Sequence, residues 1–343
     1  MKRCPPIGVD LGAHSIKAVQ FDPGGGVVAA ADIARQDPSL PINETDIVHL
    51  RGVLYRRGFM GSRIVLGAPK SMIQRVTLDL PPLESGAPIE QIAQSELCRQ
   101  RELLPGSFEF RWHESPQPPR HASGARAVTE LCTHQSANSL LDLIEAQGFD
   151  PVALHSQSTA YAALATSNGS AATVAVVDLG WSDATILTAR RGEVRFIRAV
   201  SSAGLGALVG SERWLAESLG DALRDALIEG DSSPLAEPEF ETLLKRYRAS
   251  VGAEIRSSVE YLEGCNDEEV PSTLIVLGGG SVVPGVREDL IRIVGRPEPA
   301  DLVDISAGIG IAGALASSGS KAIPSEDAED INAEAHAHGK AAA

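Results

Sequence analysis

Short apolar runs closed by turn residues alternate along the chain with stretches whose apolar residues recur every three or four positions. These are the signatures of buried strands and of amphipathic helices. One signature occurs twice. Ile7 to Phe21 (IGVDLGAHSIKAVQF) reads as a strand hairpin with Asp10 and Gly12 where its first strand runs out. Val174 to Leu187 (VAVVDLGWSDATIL) reads as a second, with Asp178 and Gly180 at the matching points, 178 − 10 = 168 residues later. That interval is about one domain length. A third strand follows each hairpin: Val27 to Ile33 after Pro23-Gly24-Gly25-Gly26, and Glu193 to Val200 after Gly192. Helical spacing over Thr45 to Gly58 (Ile47, Leu50, Val53, Leu54) and a short strand at Arg63 to Ala68 give the first portion the order β-β-β-α-β.

From about Val76 the pattern changes. A strand over Val76, Leu78 and Leu80 is closed by Pro81-Pro82, and Pro88 to Leu104 reads as a helix with Ile89, Ile92, Ala93 and Leu97 inward. Strands at Phe108 to His113 and Arg126 to His134 flank a Pro-rich loop, and Ser136 to Gly148 is an amphipathic helix. The α-β-β-α order predicts a small module inserted over 76–150. Pro151 to Leu154 is a strand and Ser156 to Ala165 a helix; further helices are predicted at Ala207 to Leu219, Phe240 to Glu263, Val286 to Gly295 and Ile305 to Ala316. Ser272 to Leu277 is a strand that ends in Gly278-Gly279-Gly280-Ser281. The pattern therefore predicts an α/β protein with that module inserted in it. Beyond Ala316 apolar periodicity is lost, and 317–343 is expected to be a disordered tail.

Composition narrows the function classes. The 343 residues suffice for two or more cores, built mostly of Ala, Val, Leu and Ile because aromatic residues make up only 4%. A formal charge of −15 argues against nonspecific binding to nucleic acid or to an anionic membrane. Cys4, Cys98, Cys132 and Cys265 are too far apart for a CxxC pair and are expected to be free buried thiols. No signal-peptide core or run of ~18 apolar residues occurs, so the expected location is the cytoplasm, with any membrane attachment through a partner.

The chemistry lies at the strand ends. Glycine lets backbone approach a ligand without Cβ interference, and a carboxylate facing a crevice can hold a hydrated cation. Two such hairpins one domain apart suggest a duplicated fold gripping one phosphate chain from both sides. Leu274 to Gly285 (LIVLGGGSVVPG) adds a glycine-rich turn before a helix, whose free N–H groups suit an anion. In this order the three segments resemble the phosphate-1, phosphate-2 and adenosine loops of the actin/Hsp70/sugar-kinase superfamily. Within it, VLGAPKSMIQRVTLDLP, EAQGFDP, FIRAVSSAG, AEIRSSVEYLEG, DISAGIGIAGALA and the inserted module are similar to the PilM family of type IV pilus assembly proteins, with the FtsA cell-division family more distant. The likeness covers roughly 5–316.

The resemblance implies an actin-like ATPase fold of duplicated ribonuclease H-like lobes with an inserted α+β subdomain of the 1C type: lobe I over 1–75 and 151–170 with 300–316, the inserted subdomain over 76–150, and lobe II over 171–299. It implies ATP and Mg²⁺ as cofactors, with Asp10 and Asp178 holding the metal through water. Gly12, His14, Ser15 and Lys17 would surround the β- and γ-phosphates, with Gly180, Ser182 and Thr185 opposite, and Gly278, Gly279 and Ser281 would pack on the adenosine. Lys17 reads equally as a solvated strand residue. His14 stands where relatives carry a small Ser or Thr, Trp181 is bulky beside the second loop, and the helical Ala-Glu-x-x-Lys of the family has no clean match, since Ala216-Glu217 is followed by Gly220. Gln157 is the one candidate to polarise a water; its other reading is a plain surface residue at a helix start. Slow or absent hydrolysis is expected. The implied function is an ATP-binding scaffold that takes the cytoplasmic N-terminal peptide of a PilN-like inner-membrane protein, in a pilus or a type II secretion machine, with possible contacts to motor or platform proteins. An FtsA-like filament and a small-molecule kinase of the same superfamily are the alternatives.

Overall fold

Two five-stranded sheets of one design carry the chain, and the computed structural model describes residues 4–118, 124–167, 172–209, 213–295, 301–303 and 310–321. In the first, β1 (Ile7–Leu11), β2 (Ser15–Phe21) and β3 (Val27–Ala34) form an antiparallel meander. Helix α1 (Glu44–Arg56) follows, and β4 (Arg63–Gly67) returns parallel to β1. The chain then leaves this sheet. β5 (Gln74–Leu80), α2 (Ile89–Arg101), β6 (Phe108–Glu114) and β7 (Ala125–Thr133) make a separate three-stranded antiparallel sheet, order β5-β7-β6, with α2 against it. Helix α3 (His134–Ala146) leads back to β8 (Asp150–His155), which completes the order β3-β2-β1-β4-β8.

Helix α4 (Gln157–Ser167) passes to the second half, where β9 (Val174–Leu179), β10 (Ala184–Arg190) and β11 (Glu193–Val200) repeat the meander. Helices α5 (Leu205–Val209), α6 (Arg213–Ile228) and α7 (Pro238–Glu263) precede β12 (Thr273–Leu277), which lies parallel to β9. After α8 (Val286–Val294), β13 (Asp301–Val303) closes the order β11-β10-β9-β12-β13, and α9 (Gly310–Lys321) follows.

The central strands β1 and β9 are buried on every residue, which is why both read as continuous apolar runs. Their side chains part by the two-residue period of a strand. Ala175, Val177 and Leu179 join the core under α5–α8, while Val174 and Val176 face α4 and α9. Ile7, Val9 and Leu11 join a third core with α1. Gly8, on the opposite face of β1, lets α9 lie directly on the strand: a Cβ there would fall 2.0 Å from the carbonyl oxygen of Ala312 and 2.4 Å from the amide of Ala316. One apolar layer, with Val65, Tyr161, Leu187 and Leu315 among its members, thus fills the space between the two sheets.

Several boundaries differ from expectation. Leu140 and Ile144 of α3 pack with Ile47 and Leu50 of α1 on the first sheet, so this helix, expected within the module, covers lobe I instead. An amphipathic stripe specifies that a face is buried, not against which sheet. Helix α4, expected with lobe I, packs on the strands of the second sheet, and β13, expected with lobe I at 300–316, pairs with β12 of the second. Helix α9 continues to Lys321, so 317–321, expected in the tail, are helical; once a helix is nucleated against a sheet, extending it needs little from the sequence. Residues 304–309 and 322–343 lie outside the described residues. Helices α5 and α6 cover the helix expected at Ala207 to Leu219, with 210–212 outside the described residues. The four cysteines are free and half-buried, not fully buried.

Gly8→Ala is expected to lower unfolding stability by about 1–3 kcal/mol, since backbone of α9 has to move to admit the methyl group. Gly52→Ala inside α1, where a Cβ meets only the Arg56 guanidinium at 3.4 Å, is expected to stabilise by about 0.5–1 kcal/mol. Urea unfolding of both variants checks the pair; equal effects would contradict the packing described for α9.

Candidate functional site

The two hairpins present their turns to the same space. In each, the loop glycine is held by the residue three positions on: a Cβ at Gly12 would fall 2.5 Å from the carbonyl oxygen of Ser15, and one at Gly180 would fall 2.9 Å from that of Asp183. A larger residue would force either turn open. Between them lies a cavity of about 590 Å³, within the ordinary range for a small-molecule site. Asp10, Gly12, His14, Ser15, Lys17, Gln157, Asp178, Gly180, Ser182, Gly278 and Gly279 line it. Of the expected site residues, Thr185 and Ser281 do not. Ser281 is buried and its hydroxyl donates to the Gly278 carbonyl at 2.7 Å, so it shapes the glycine turn without facing the cavity.

Helix α4 ties the two loop carboxylates together. Gln157 Nε2 donates to Asp10 Oδ1 at 3.4 Å, while Tyr161, one turn further on, donates its hydroxyl to Asp178 Oδ2 at 2.6 Å and lies 3.4 Å from Gln157 Oε1. Gln157 is buried, not the surface residue of its alternative reading. Tyr161 was not foreseen; its spacing of four from Gln157, on one helix face, was the available signal.

The surroundings of the two aspartates differ. Asp10 pairs across the hairpin with Lys17, which makes Lys17 a cavity residue and not a merely solvated one. Burial raises the Asp10 pKa from 3.8 to about 6, against the pull of Lys17 and with a further push from Asp178. At the matching position opposite Asp178 stands Thr185, which carries no charge. The cation there comes from the other lobe. Lys70, in the turn after β4, places Nζ 2.5 Å from Asp183 Oδ1, 3.2 Å from Thr185 Oγ1 and 3.4 Å from Asp178 Oδ2. Burial pulls the Lys70 pKa down, but Asp178 and Asp183 outweigh it and hold it above the usual value. Neither Lys70 nor Asp183 was foreseen, although the GAPK turn after β4 places Lys70 three residues beyond Gly67, as Ser281 stands three beyond Gly278.

This arrangement tests the expected Mg²⁺. Asp178 Oδ2 already accepts from the Lys70 ammonium and the Tyr161 phenol, so a divalent ion bound directly there would have to displace Lys70. Among the described residues no cluster of three or more His, Cys, Asp or Glu could hold a metal. Asp10 and Asp178 both face the cavity with hard oxygen donors, the set that would hold a hydrated Mg²⁺ together with ligand phosphates.

His14 and Trp181 stack on each other across the cleft, ring centroids 4.4 Å apart. Each rests on a glycine of lobe II: a Cβ at Gly220 would fall 2.7 Å from the His14 ring, and one at Gly206 would fall 2.6 Å from Trp181 Nε1. Gly220 of α6, where the family's helical motif finds no match, is thus the seat of the bulky ring in the first loop. Burial lowers the His14 pKa, so the stacked ring is neutral at pH 7. Arg35 anchors the same loop by donating to the Ala13 carbonyl at 2.8 Å, its charge met by Asp46 at 2.9 Å. Opposite the loops, Leu223 and Leu227 of α6 face Gly278 and Gly279 across an apolar slot.

No protein-family model and no curated protein sequence matches the chain. Solved structures do. PilM in a PilM–PilN type IV pilus biogenesis complex superposes with a TM-score of 0.65 at 16% identity, over 92% of this chain and 99% of that one. The ethanolamine utilization protein EutJ from Carboxydothermus hydrogenoformans superposes with a TM-score of 0.54 at 14% identity, over 92% and 90%. The chain has the actin-like ATPase fold, as its duplicated sheets and their shared cleft define it.

Asp10 gives the cleft a pH signature. Because its folded pKa lies above its unfolded one, the folded state holds the proton more tightly between pH 3.8 and about 6, and stability falls as pH rises through that window. The gap corresponds to about 3 kcal/mol. Asp10→Asn, which mimics the protonated acid, is expected to gain stability over the wild type at pH 8 and to lose that advantage near pH 4. Urea unfolding across this range checks it; a difference independent of pH would contradict the burial assigned to Asp10.

Proposed function

We propose that the protein is an ATP-binding scaffold, not chiefly a consumer of ATP. One observation carries the reading: two hairpin turns of the same construction, Gly12 and Gly180, face one cavity from opposite lobes. Backbone N–H groups around these turns, with Lys17 and Lys70, suit a polyphosphate. Leu227 and Gly279, side by side in the cavity wall, give adenine an apolar surface to rest on. Gln157 donates to the Asp10 carboxylate and accepts from Tyr161, so its amide is committed. It is poorly placed to activate water, so turnover is expected to be slow.

The likeness to PilM extends the reading to a partner. The inserted module, residues 74–133, is too long to fall wholly outside the matched 92% of the chain. It touches the rest of the protein through Ser158 of α4, which donates to Glu130, and Tyr261 of α7, which donates to the Pro116 carbonyl at 2.8 Å. Lobe closure around a nucleotide would therefore act on the module directly. The proposed occupant of the module surface is an extended cytoplasmic N-terminal peptide of a PilN-like inner-membrane protein. Among the described residues no helix is long and apolar enough to cross a membrane, which fits attachment through such a partner. ATP would act by its differential affinity for the closed lobes.

One observation favours a second reading, small-molecule phosphorylation: Asp32 lines the cavity with Oδ1 buried and unpartnered, the position of a possible general base. Transfer of phosphate from ATP to a polyol, abolished by Asp32→Asn, would select it; no transfer leaves the scaffold.

Calorimetry is expected to show ATP binding with micromolar affinity, and Gly279→Val, whose Cβ meets only Leu227 at 3.9 Å, is expected to weaken it about tenfold with the fold intact. Equal affinity for both proteins would contradict the adenosine slot. Fluorescence polarisation of the partner's N-terminal peptide is expected to show tighter binding with ATP present; no binding with or without ATP would remove the partner assignment.

A further inference from the structure

The two lobes match in backbone but not in charge. Asp10 has its own cation, Lys17, on the neighbouring strand; Asp178 has Thr185 there, and a second carboxylate, Asp183, where the first lobe has Ser15. Lobe II thus holds two acids and no base of its own beside the turn, and Lys70 supplies the base from lobe I. Its three N–H donors meet three oxygens on Asp183, Thr185 and Asp178. The side chains are only 25% (Lys70), 15% (Asp183) and 7% (Asp178) exposed, so the contact lies inside the cleft and not at its rim. A Cβ on Gly180 would fall 3.7 Å from Lys70 Nζ, which puts the ammonium directly beneath the turn that faces the cavity.

We propose that Lys70 is the resident cation of this cleft: a tethered ammonium that holds the Asp178–Asp183–Thr185 oxygens in place of a divalent ion and offers its charge to an entering polyphosphate. Two consequences follow. The free protein has no divalent-ion site at these oxygens until Lys70 is removed. Polyphosphate binding, the part that rests on the ATP reading above, does not require a divalent metal. The same contact joins the lobes, since β4 and β9–β10 belong to different sheets.

Manganese alone is the first probe, followed by electron paramagnetic resonance of the full chain without nucleotide. The wild type is expected to bind no Mn²⁺ at submillimolar concentration, while Lys70→Met and Lys70→Gln each gain one site that is lost again on adding Asp183→Asn. A wild-type site abolished by Asp178→Asn would overturn the proposal, as would folded Lys70 variants that bind no Mn²⁺. Should both Lys70 variants fail to fold, the wild-type measurement still decides. ATP is the second probe: wild-type affinity in EDTA is expected to stay within about threefold of that in Mg²⁺, and a loss of tenfold or more would overturn the metal-independent part. ATP binding under neither condition, with the Mn²⁺ results as expected, would overturn the nucleotide reading and leave Lys70 as the resident cation.

Discussion

Two aspartates in different lobes are held by one helix, and the geometry of the cleft depends on that link. Gln157 and Tyr161 stand one turn apart on α4, where the helical period puts them on the same face. Through them Asp10 and Asp178 share one buried hydrogen-bonded chain, continued by Lys70 to Asp183. Buried carboxylates without such partners would be costly, so the chain both tolerates the charges and fixes how the lobes face each other. Anything that separates the lobes has to break it.

The apolar layer behind this chain makes the approach possible. Alternate residues of β9 face different cores, and the side toward α4 meets α9, which rests on the bare backbone of Gly8. Glycine recurs wherever two backbones or a ring and a backbone come together: Gly8 under α9, Gly220 under His14, Gly206 under Trp181. Two rings from opposite lobes, His14 and Trp181, line the cleft in contact with each other and are uncharged at neutral pH.

Much of this was legible in the sequence because duplication leaves a pattern that survives folding. IGVDLG and VAVVDLG announce two central strands with the same turn, and the structure aligns their glycines on equivalent contacts. What stayed hidden depends on which element meets which. The stripe on α3 specifies a buried face but not the sheet it covers. Lys70 looks like any turn lysine until β4 is placed beside β1 and its side chain is seen to cross into the other lobe, 108 residues away from Asp178. Asp183 was visible as a turn residue only, and Tyr161 as one apolar position in an Ala-rich helix.

A crystal structure grown with a non-hydrolysable ATP analogue tests the central claim most directly. The account predicts terminal phosphates between the Gly12 and Gly180 turns, within hydrogen-bonding distance of backbone amides from both lobes, with His14 and Trp181 moved apart. An analogue bound outside the cleft, or held by one lobe with the other turned away, would contradict it.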